Sequence, residues 1–182
     1  MSDNRDDIWV ELQARAERAL EHPKDLDVRE TIRRYGSLWR LWRFPSVGVL
    51  TAWTVLMPGR KTVPGAPPRV REVTWDRPAD NQRLFGPEPS LAAQPTLRVR
   101  DALLPPDELQ RFIDAGASIA VPLLAFSKAA PVDEDLFGLE TYEVSPYVRL
   151  QWWGEGPQQW RPFLDWVAGL RVFLGRHLDE AS

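Results

Sequence analysis

The stretch LETYEVSPYVRLQWW, residues 139–153, decides the fold. It contains two segments of strand-forming residues, Leu139–Val144 and Tyr147–Trp153, with only Ser145 and Pro146 between them. So short a connection can join only antiparallel neighbours, because a parallel crossover needs about a dozen residues or more. The stretch therefore predicts a tight antiparallel hairpin toward the carboxyl end of the chain.

A long amphipathic helix is predicted directly after this hairpin, over residues 157–178. Gly154 and Gly156 interrupt the strand pattern, and apolar side chains then recur at the spacing of an α-helix. The predicted stripe consists of Trp160, Phe163, Leu164, Val167, Leu170, Phe173, Leu174 and Leu178. A stripe of this kind buries itself against another element, so the helix should cover one face of the sheet.

Further segments upstream of the hairpin have strand character. Val47–Met57 is apolar on both alternating faces, which is typical of a strand in the middle of a sheet. Arg69–Trp75 and Leu97–Leu103 follow it, and Ile119–Phe126 is another apolar segment, in which Pro122 indicates an edge or a bulge. The connections between strands are too short for regular helical crossovers, which favours antiparallel pairing.

Helices are predicted at the amino-terminal end of the chain. Residues 1–36 are interpreted as a helical segment whose first helix ends at Pro23. A second helix begins at Asp27, where Glu30 completes a capping box, and runs to about Tyr35.

The sequence predicts an α+β fold in a single domain, residues 1–182. A mainly antiparallel sheet of about five to six strands is expected within residues 46–154, with one short helix between Pro105 and Gly116. Residues 76–95 are interpreted as an irregular excursion with one turn of helix near Asn81–Leu84. The N-terminal helical segment and the C-terminal helix pack against this sheet. A chain of this length can form one hydrophobic core without disulfide bonds.

The composition of the chain excludes several classes of protein. The chain has no cysteine, it begins with acidic and polar residues where a signal peptide would be basic and apolar, and no apolar run approaches the roughly 20 residues of a membrane-spanning helix. A net charge of −3 gives no general attraction to nucleic acid or to anionic lipid. We therefore expect a cytoplasmic protein that makes no membrane contact.

Nine tryptophans give the chain an unusual supply of large aromatic side chains, two of them in the hairpin. Alternation along the second hairpin strand directs Trp152 and Trp153 to opposite faces of the sheet, and Tyr142 and Tyr147 extend the aromatic surface. Since Trp and Tyr are enriched among the residues that dominate binding energy at protein interfaces, one hypothesis is a surface for another protein. The alternative is that helices, the C-terminal one among them, cover these rings.

The segment Arg33–Phe44 interleaves arginine with aromatic residues. Arg40 and Arg43 alternate there with Trp39 and Trp42, a pattern that suits single-stranded nucleic acid because cations neutralise phosphates and rings stack on bases. The alternative, which the acidic net charge favours, is that the rings pack under the sheet while the arginines pair with carboxylates at its rim.

No motif for catalysis, metal binding or cofactor binding is present. His22 and His177 stand near helix ends and are interpreted as structural, and no phosphate-binding loop, dinucleotide fingerprint or nucleophile elbow occurs. The candidates for acid–base chemistry are Asp76, Asp101, Glu140, Glu143 and Glu155. We expect Glu143 to form a cross-strand ion pair with Arg149. The acidic run at residues 133–135 lacks the spacing of a calcium loop, so no metal and no cofactor are expected.

The sequence favours a noncatalytic interaction protein, immunity- or adaptor-like in a bacterial system, over an enzyme. Its partner would be another protein, bound through the Trp/Tyr-rich hairpin. One alternative is a small-ligand-binding protein or enzyme with a Trp/Arg-lined cleft, in which Arg40, Arg43 and Trp75 would bind an anion or a ring. A third is the nucleic-acid binder described above. The residues nominated for binding are Trp39, Arg40, Trp42, Arg43, Trp75, Tyr142, Tyr147, Trp152 and Trp153. Residues 147–167 resemble the carboxyl-terminal pattern of small bacterial proteins with no assigned activity, a resemblance that implies no function.

Overall fold

The computed structural model describes residues 3–26, 32–59, 62, 64–87, 89, 94–122, 133–142 and 147–181. Within these ranges the elements in chain order are α1 (Asp3–Glu21), β1 (Tyr35–Phe44), β2 (Leu50–Pro58), β3 (Arg69–Trp75), α2 (Arg77–Phe85), β4 (Leu97–Leu103), α3 (Pro106–Ala117), β5 (Leu136–Thr141), β6 (Arg149–Trp153) and α4 (Arg161–Glu180). Single 3-10 turns lie at Pro23–Leu26, Ile32–Arg34 and Gln158–Trp160. The predicted α+β class is confirmed.

The six strands form one antiparallel sheet in the order β4-β3-β2-β1-β5-β6. The strand β2 lies inside the sheet, as its apolar residues on both faces predicted. Most neighbours in the sheet also follow each other along the chain, but β1 pairs with β5, which is distant in sequence. This pairing brings the N-terminal part of the sheet against the hairpin.

Helices cover the two faces of the sheet differently. The face that we call the first carries Trp39, Leu41 and Val55 and is packed by α4, on which α3 also packs. The second face carries Trp42 and Val73 and is covered by α1, which lies over β2 and β3. Leucines on both helices are fully buried, each contributing about 1.5–3 kcal/mol relative to an exposed side chain. Where β1 continues this face toward β5 and β6, the Arg40 side chain donates a hydrogen bond to the Leu20 carbonyl of α1.

Several predicted elements are found at or close to their predicted positions. The strands β3 and β4 have the predicted bounds, and α3 coincides with the predicted middle helix within one residue at each end. The C-terminal helix begins at Arg161, after the 3-10 turn, and extends to Glu180. Its first turn holds Pro162, a residue that fits there because it needs no hydrogen bond from its nitrogen.

The start of the sheet differs from the prediction. The strand β1 begins at Tyr35, inside the predicted N-terminal helical segment of residues 1–36, and Gly36 lies within the strand. Its aromatic residues lie on both faces, because Trp39 packs into the core on the first face and Trp42 packs beneath α1 on the second. Residues 27–31, where the second helix was predicted, lie outside the described residues, and Ile32–Arg34 is only a 3-10 turn.

Two other regions also depart from the prediction. Residues 76–95 contain a helix of nine residues, α2, because the Asp76 side chain accepts a hydrogen bond from the Ala79 N–H at 3.0 Å and Pro78 fits the first turn. Residues 119–122 are not a strand: the Ile119 N–H bonds back to α3, and the Pro122 carbonyl accepts the Trp160 indole N–H at 2.9 Å. The rest of that predicted strand lies outside the described residues.

The predicted antiparallel hairpin is confirmed as β5 and β6, with Glu140 opposite Arg149 and Leu136 opposite Trp153. Both strands stop short of the predicted turn, and β5 begins three residues earlier than predicted. Residues 143–146, including the predicted turn, lie outside the described residues.

Candidate functional site

The candidate site lies on the second face of the sheet, where β1, β5 and β6 run side by side next to α1. Strand register arranges nine residues there in three rows that cross the strands. The first row is Arg40, Glu140 and Arg149, the second is Trp42, Gly138 and Gln151, and the third is Phe44, Leu136 and Trp153. The surface thus changes from charged at one end to apolar at the other.

The centre of the charged row is the buried carboxylate of Glu140, which is 3 % exposed. Its Oε1 lies 3.0 Å from Arg40 Nε and accepts the Tyr142 hydroxyl, while its Oε2 accepts the Tyr147 hydroxyl at 3.2 Å and lies 3.9 Å from Arg149 Nε. A buried charge is costly unless it is paired and hydrogen-bonded. Here two tyrosine hydroxyls supply the hydrogen bonds, and two guanidinium groups supply the positive charge.

The Arg40 side chain is buried beneath this row. Its Nη1 donates to the Leu20 carbonyl of α1 at 3.4 Å, while Nε, although close to Glu140, is not aligned for a hydrogen bond. Burial lowers the pKa of Arg40 from its ordinary value, and the negative charge of Glu140 opposes this shift. Arg40 therefore depends on Glu140 as its nearest counter-charge.

The indole ring of Trp42 forms the floor between the charged and apolar rows. It lies so close to Gly138 that a Cβ at that position would collide with the six-membered part of the ring. The guanidinium carbons of Arg40 and Arg149 lie 4.9 Å and 5.2 Å from the centre of the same ring, within range of cation–π attraction. A glycine on β5 thus allows the ring to support both arginines.

The outer part of the site consists of exposed side chains. We call the set Tyr142, Tyr147, Arg149, Gln151 and Trp153 the hairpin surface. Tyr142, Tyr147 and Trp153 are 40 %, 58 % and 37 % exposed, and Arg149 and Gln151 are also exposed. Desolvation and the neighbouring charge of Glu140 raise the pKa of the Tyr147 hydroxyl above its ordinary value. The hydroxyl therefore stays neutral and remains a donor to Glu140.

Four of the residues nominated from the sequence meet in this site: Arg40, Trp42, Tyr142 and Tyr147. Trp153 lies on the same face at the far end of the hairpin. Its neighbour Trp152 is on the opposite face, as alternation predicted, where it stacks on Phe137 with ring centres 6.0 Å apart. Trp152 also meets Phe163 of α4, so the C-terminal helix covers one of the two hairpin tryptophans.

The other nominated residues lie elsewhere and have partners of their own. Trp39 is buried on the first face, edge-on to Trp166. Trp75 is fully buried, and its indole N–H donates to Asp80 at 2.7 Å. Arg43 is half-exposed and forms an ion pair with Asp135 at 2.8 Å. The structure therefore gathers a subset of the predicted binding residues and uses the others to hold the fold.

The acidic residues nominated for acid–base chemistry are dispersed. Asp76 caps α2, and Asp101 accepts two hydrogen bonds, at 2.8 Å and 2.7 Å, from Arg71. Glu155 is exposed, and Glu143 lies outside the described residues, so its predicted pair with Arg149 stays a prediction. In the described ranges no group of three potential ligands is placed to hold a metal ion.

A cleft of about 240 Å³ lies on the first face, between the hairpin and α4. Phe137 and Trp152 form part of its wall, and Arg161 and Arg171 reach it from the helix. Arg161 pairs with Asp165 at 3.0 Å, and Arg171 lies 5.9 Å from the Phe137 ring centre. This is a Trp/Arg-lined cleft, but it does not contain Arg40, Arg43 or Trp75, the residues nominated for one.

Sequence reasoning missed the central roles of Glu140 and Gly138. Glu140 was considered only as a possible acid or base, and Gly138 was not considered. One signal was available, because alternation along β5 places Gly138, Glu140 and Tyr142 on the same face. The contribution of β1 could not be found in this way, since it follows from the β1–β5 register.

Among the described residues, no helix is long and apolar enough to cross a membrane. No family model, no curated protein and no solved structure matches this chain. Function is therefore inferred from the arrangement of side chains.

Proposed function

We propose that this chain is a noncatalytic interaction protein, immunity- or adaptor-like, that acts in the cytoplasm and binds another protein through the hairpin surface. One observation carries the proposal: the buried carboxylate of Glu140 accepts the hydroxyls of two tyrosines with exposed rings, Tyr142 and Tyr147. A carboxylate placed in this way fixes exposed aromatic rings that would otherwise rotate freely.

Fixed aromatic rings favour binding for a physical reason. Association costs about 0.5–1.5 kcal/mol for each rotamer-rich side chain that it immobilises. The hydrogen bonds of Tyr142 and Tyr147 to Glu140 already restrict these side chains in the free protein, so binding a partner loses less conformational entropy. Trp, Tyr and Arg are also the residues most enriched at energetic hot spots, and the hairpin surface contains all three.

The arrangement around Glu140 does not suit acid–base catalysis. A general base must reach a substrate, but the carboxylate of Glu140 is buried, each of its oxygens accepts a tyrosine hydroxyl, and two guanidinium groups lie beside it. The site also lacks what single-stranded nucleic acid needs, because Trp39 and Trp42 are buried and no base can stack on their rings. A protein partner is the class that best fits exposed Tyr, Trp and Arg side chains.

The proposal can be tested by affinity capture. The tagged chain is used to capture proteins from a lysate of its source organism, and a captured partner is then purified and its affinity measured directly. We expect Tyr147→Ala combined with Trp153→Ala to weaken binding by at least tenfold. Phe85→Ala is the matched control, since that ring is 41 % exposed but lies on α2. Equal affinity for all three proteins would refute the proposal.

The cleft between the hairpin and α4 supports the alternative, a small-ligand-binding protein. Its walls combine the rings of Phe137 and Trp152 with the guanidinium of Arg171, a combination suited to a small anion that carries a ring. Thermal-shift screening of small aromatic acids tests it. A ligand whose stabilising effect is lost in Arg171→Ala and kept in Trp153→Ala would favour this alternative over the hairpin surface.

A further inference from the structure

The strand β6 ends the sheet and presents an outer edge. The Thr141 N–H donates to the Val148 carbonyl at 2.9 Å, and the Gly154 N–H donates to the Asp135 carbonyl at 3.0 Å. Even-numbered residues from 148 to 154 therefore direct their backbone groups toward β5. The backbone groups of Arg149 and Gln151 point outward, and no strand in the described ranges pairs with them.

The side chains at these outward positions all lie on the second face. Arg149, Gln151 and Trp153 follow one another at every second position of β6, and all three are exposed. The edge thus carries an arginine at one end, an amide in the middle and an indole at the other end. The Trp153 carbonyl already accepts the Gly156 N–H at 2.9 Å. The backbone N–H of Trp153 points outward, like the backbone groups of Arg149 and Gln151.

This order of residues is complementary to itself. When two β6 strands align antiparallel about a two-fold axis through Gln151, Arg149 of one copy lies directly opposite Trp153 of the partner subunit. Side chains opposite each other in a sheet have Cβ atoms about 4.5–5.5 Å apart, a distance at which a guanidinium can lie on an indole ring. The axis creates this contact twice, as expected for a two-fold interface.

Charge at the two ends of β6 favours the same alignment. The basic end has Arg149 at the surface, and the two arginines Arg149 and Arg40 outnumber the single carboxylate of Glu140 between them. The other end is acidic, because Glu155 follows the strand and the Glu134 carboxylate lies against Gly154. Antiparallel pairing brings the basic end of each copy to the acidic end of the other, and like charges are kept apart.

We propose that a second copy of this chain docks at the β6 edge, so that two six-stranded sheets join antiparallel through Gln151. The inference rests on the proposed function, because it assumes that the hairpin surface binds protein. It names a second copy of the chain as the protein that pairs with the β6 edge. A five-residue edge buries less than the about 1,200–2,000 Å² of a stable interface, so dimerisation depends on protein concentration. Tyr142 and Tyr147 of both copies then lie on one continuous face.

The test is the molar mass of the purified full-length chain, measured by light scattering and by sedimentation velocity over a wide concentration range. We expect the mass to rise from 20.9 kDa toward twice that value with concentration. Arg149→Glu replaces the cation on the indole with an anion and should weaken the dimer by tenfold or more. Arg98→Glu, an exposed arginine on β4 at the opposite end of the sheet, is the matched control and should dimerise like the unchanged chain.

A second variant separates dimerisation from folding. Gln151→Pro removes an N–H that points outward, which an edge strand tolerates, and it blocks pairing of two edges. We expect a folded monomer, with the circular dichroism of the unchanged chain. A chain that is monomeric at every concentration, or a dimer that survives both Arg149→Glu and Gln151→Pro, overturns the inference. If a monomeric chain still captures a different protein through Tyr147 and Trp153, the inference fails and the proposed function stands.

Discussion

Two buried carboxylates, Asp80 on α2 and Glu140 on β5, are surrounded by similar sets of donors but serve different ends. Asp80 is fully buried and accepts the Trp75 indole N–H at 2.7 Å, and the N–H and hydroxyl of Thr96 at 2.8 Å and 2.6 Å. It also pairs with Arg83 at 2.8 Å. The ring that it holds is buried, whereas the rings that Glu140 holds are exposed.

The difference shows that burial of a charge does not by itself indicate its role. Asp80 ties α2 to β3 and to the residue that precedes β4, so its bonds hold three parts of the fold together. Glu140 ties Tyr142 and Tyr147 to the sheet, and these residues present their rings to the solvent. The direction in which the donor side chains extend is therefore the property that distinguishes a structural anchor from a candidate binding site.

The largest expected effect is on the structural anchor. Asp80→Ala leaves the Trp75 indole N–H and the Thr96 backbone N–H without their acceptor, and we expect the free energy of unfolding to fall by about 3–5 kcal/mol. Chemical denaturation followed by tryptophan fluorescence measures this change. A loss below about 1 kcal/mol would show that Asp80 does not hold the fold and would remove the contrast with Glu140.

Glu140→Gln should cause the second-largest loss in the free energy of unfolding. It keeps the shape of the side chain and removes the charge that neutralises the buried Arg40, so we expect unfolding to require about 2–3 kcal/mol less. Partner affinity should fall as well, because Tyr142 and Tyr147 lose the charge that orders them. The same denaturation measurement, together with a binding titration, checks both effects. A variant with lower stability but unchanged affinity would assign Glu140 to the fold alone.

Gly138→Ala tests the Glu140 site through the Trp42 ring, which forms its floor. The new methyl group collides with that ring, and we expect a loss of about 1–2 kcal/mol. Gly175→Ala is the control, because a Cβ at Gly175 in α4 meets no atom within 4 Å and helix propensity should raise stability by about 0.5–1 kcal/mol. Opposite signs for the two variants, measured by thermal unfolding, are the expected result. Equal effects would mean that the closeness of Trp42 and Gly138 has no energetic importance.

The smallest effect on stability should come from Tyr147→Phe. The folded chain raises the pKa of this phenol, so the stability that it contributes is complete below the ordinary tyrosine pKa of about 10 and is lost as the pH rises through the raised value. Ultraviolet titration of tyrosinate should show a late component that is absent from Tyr147→Phe and from the unchanged chain in urea. A late component of the same size in both folded proteins would mean that Glu140 does not hold this hydroxyl.

Local patterns were sufficient for much of the fold. The alternation and turn residues around Arg69–Trp75 and Leu97–Leu103 placed β3 and β4 at their observed bounds, and periodicity placed α4. The strand β1 was not predicted, because the segment Tyr35–Phe44 mixes arginine and aromatic residues on both faces and contains Gly36. Its strand conformation depends on the two neighbours that pair with it, and these are not local information.

The candidate site was only partly predictable for the same reason. The hairpin pattern singled out Tyr142 and Tyr147, and the alternation of arginine with aromatic residues singled out Arg40 and Trp42. Nothing near Arg40 in the sequence indicates that Glu140 lies beside it. That contact is set by the register of β1 against β5. Pairing between distant strands is a tertiary property, which the amino-acid pattern of either strand alone does not specify.

The position of β1 between β2 and β5 has a consequence for synthesis of the chain. On the ribosome, β1 can pair with β2 early, but its other edge waits until β5 has been translated, since the two strands are far apart in sequence. During that interval the nascent polypeptide presents an open row of amide groups flanked by tryptophan, a surface that invites aggregation. We expect chaperones to engage the chain at this stage, and folding to be slow for a protein of its size.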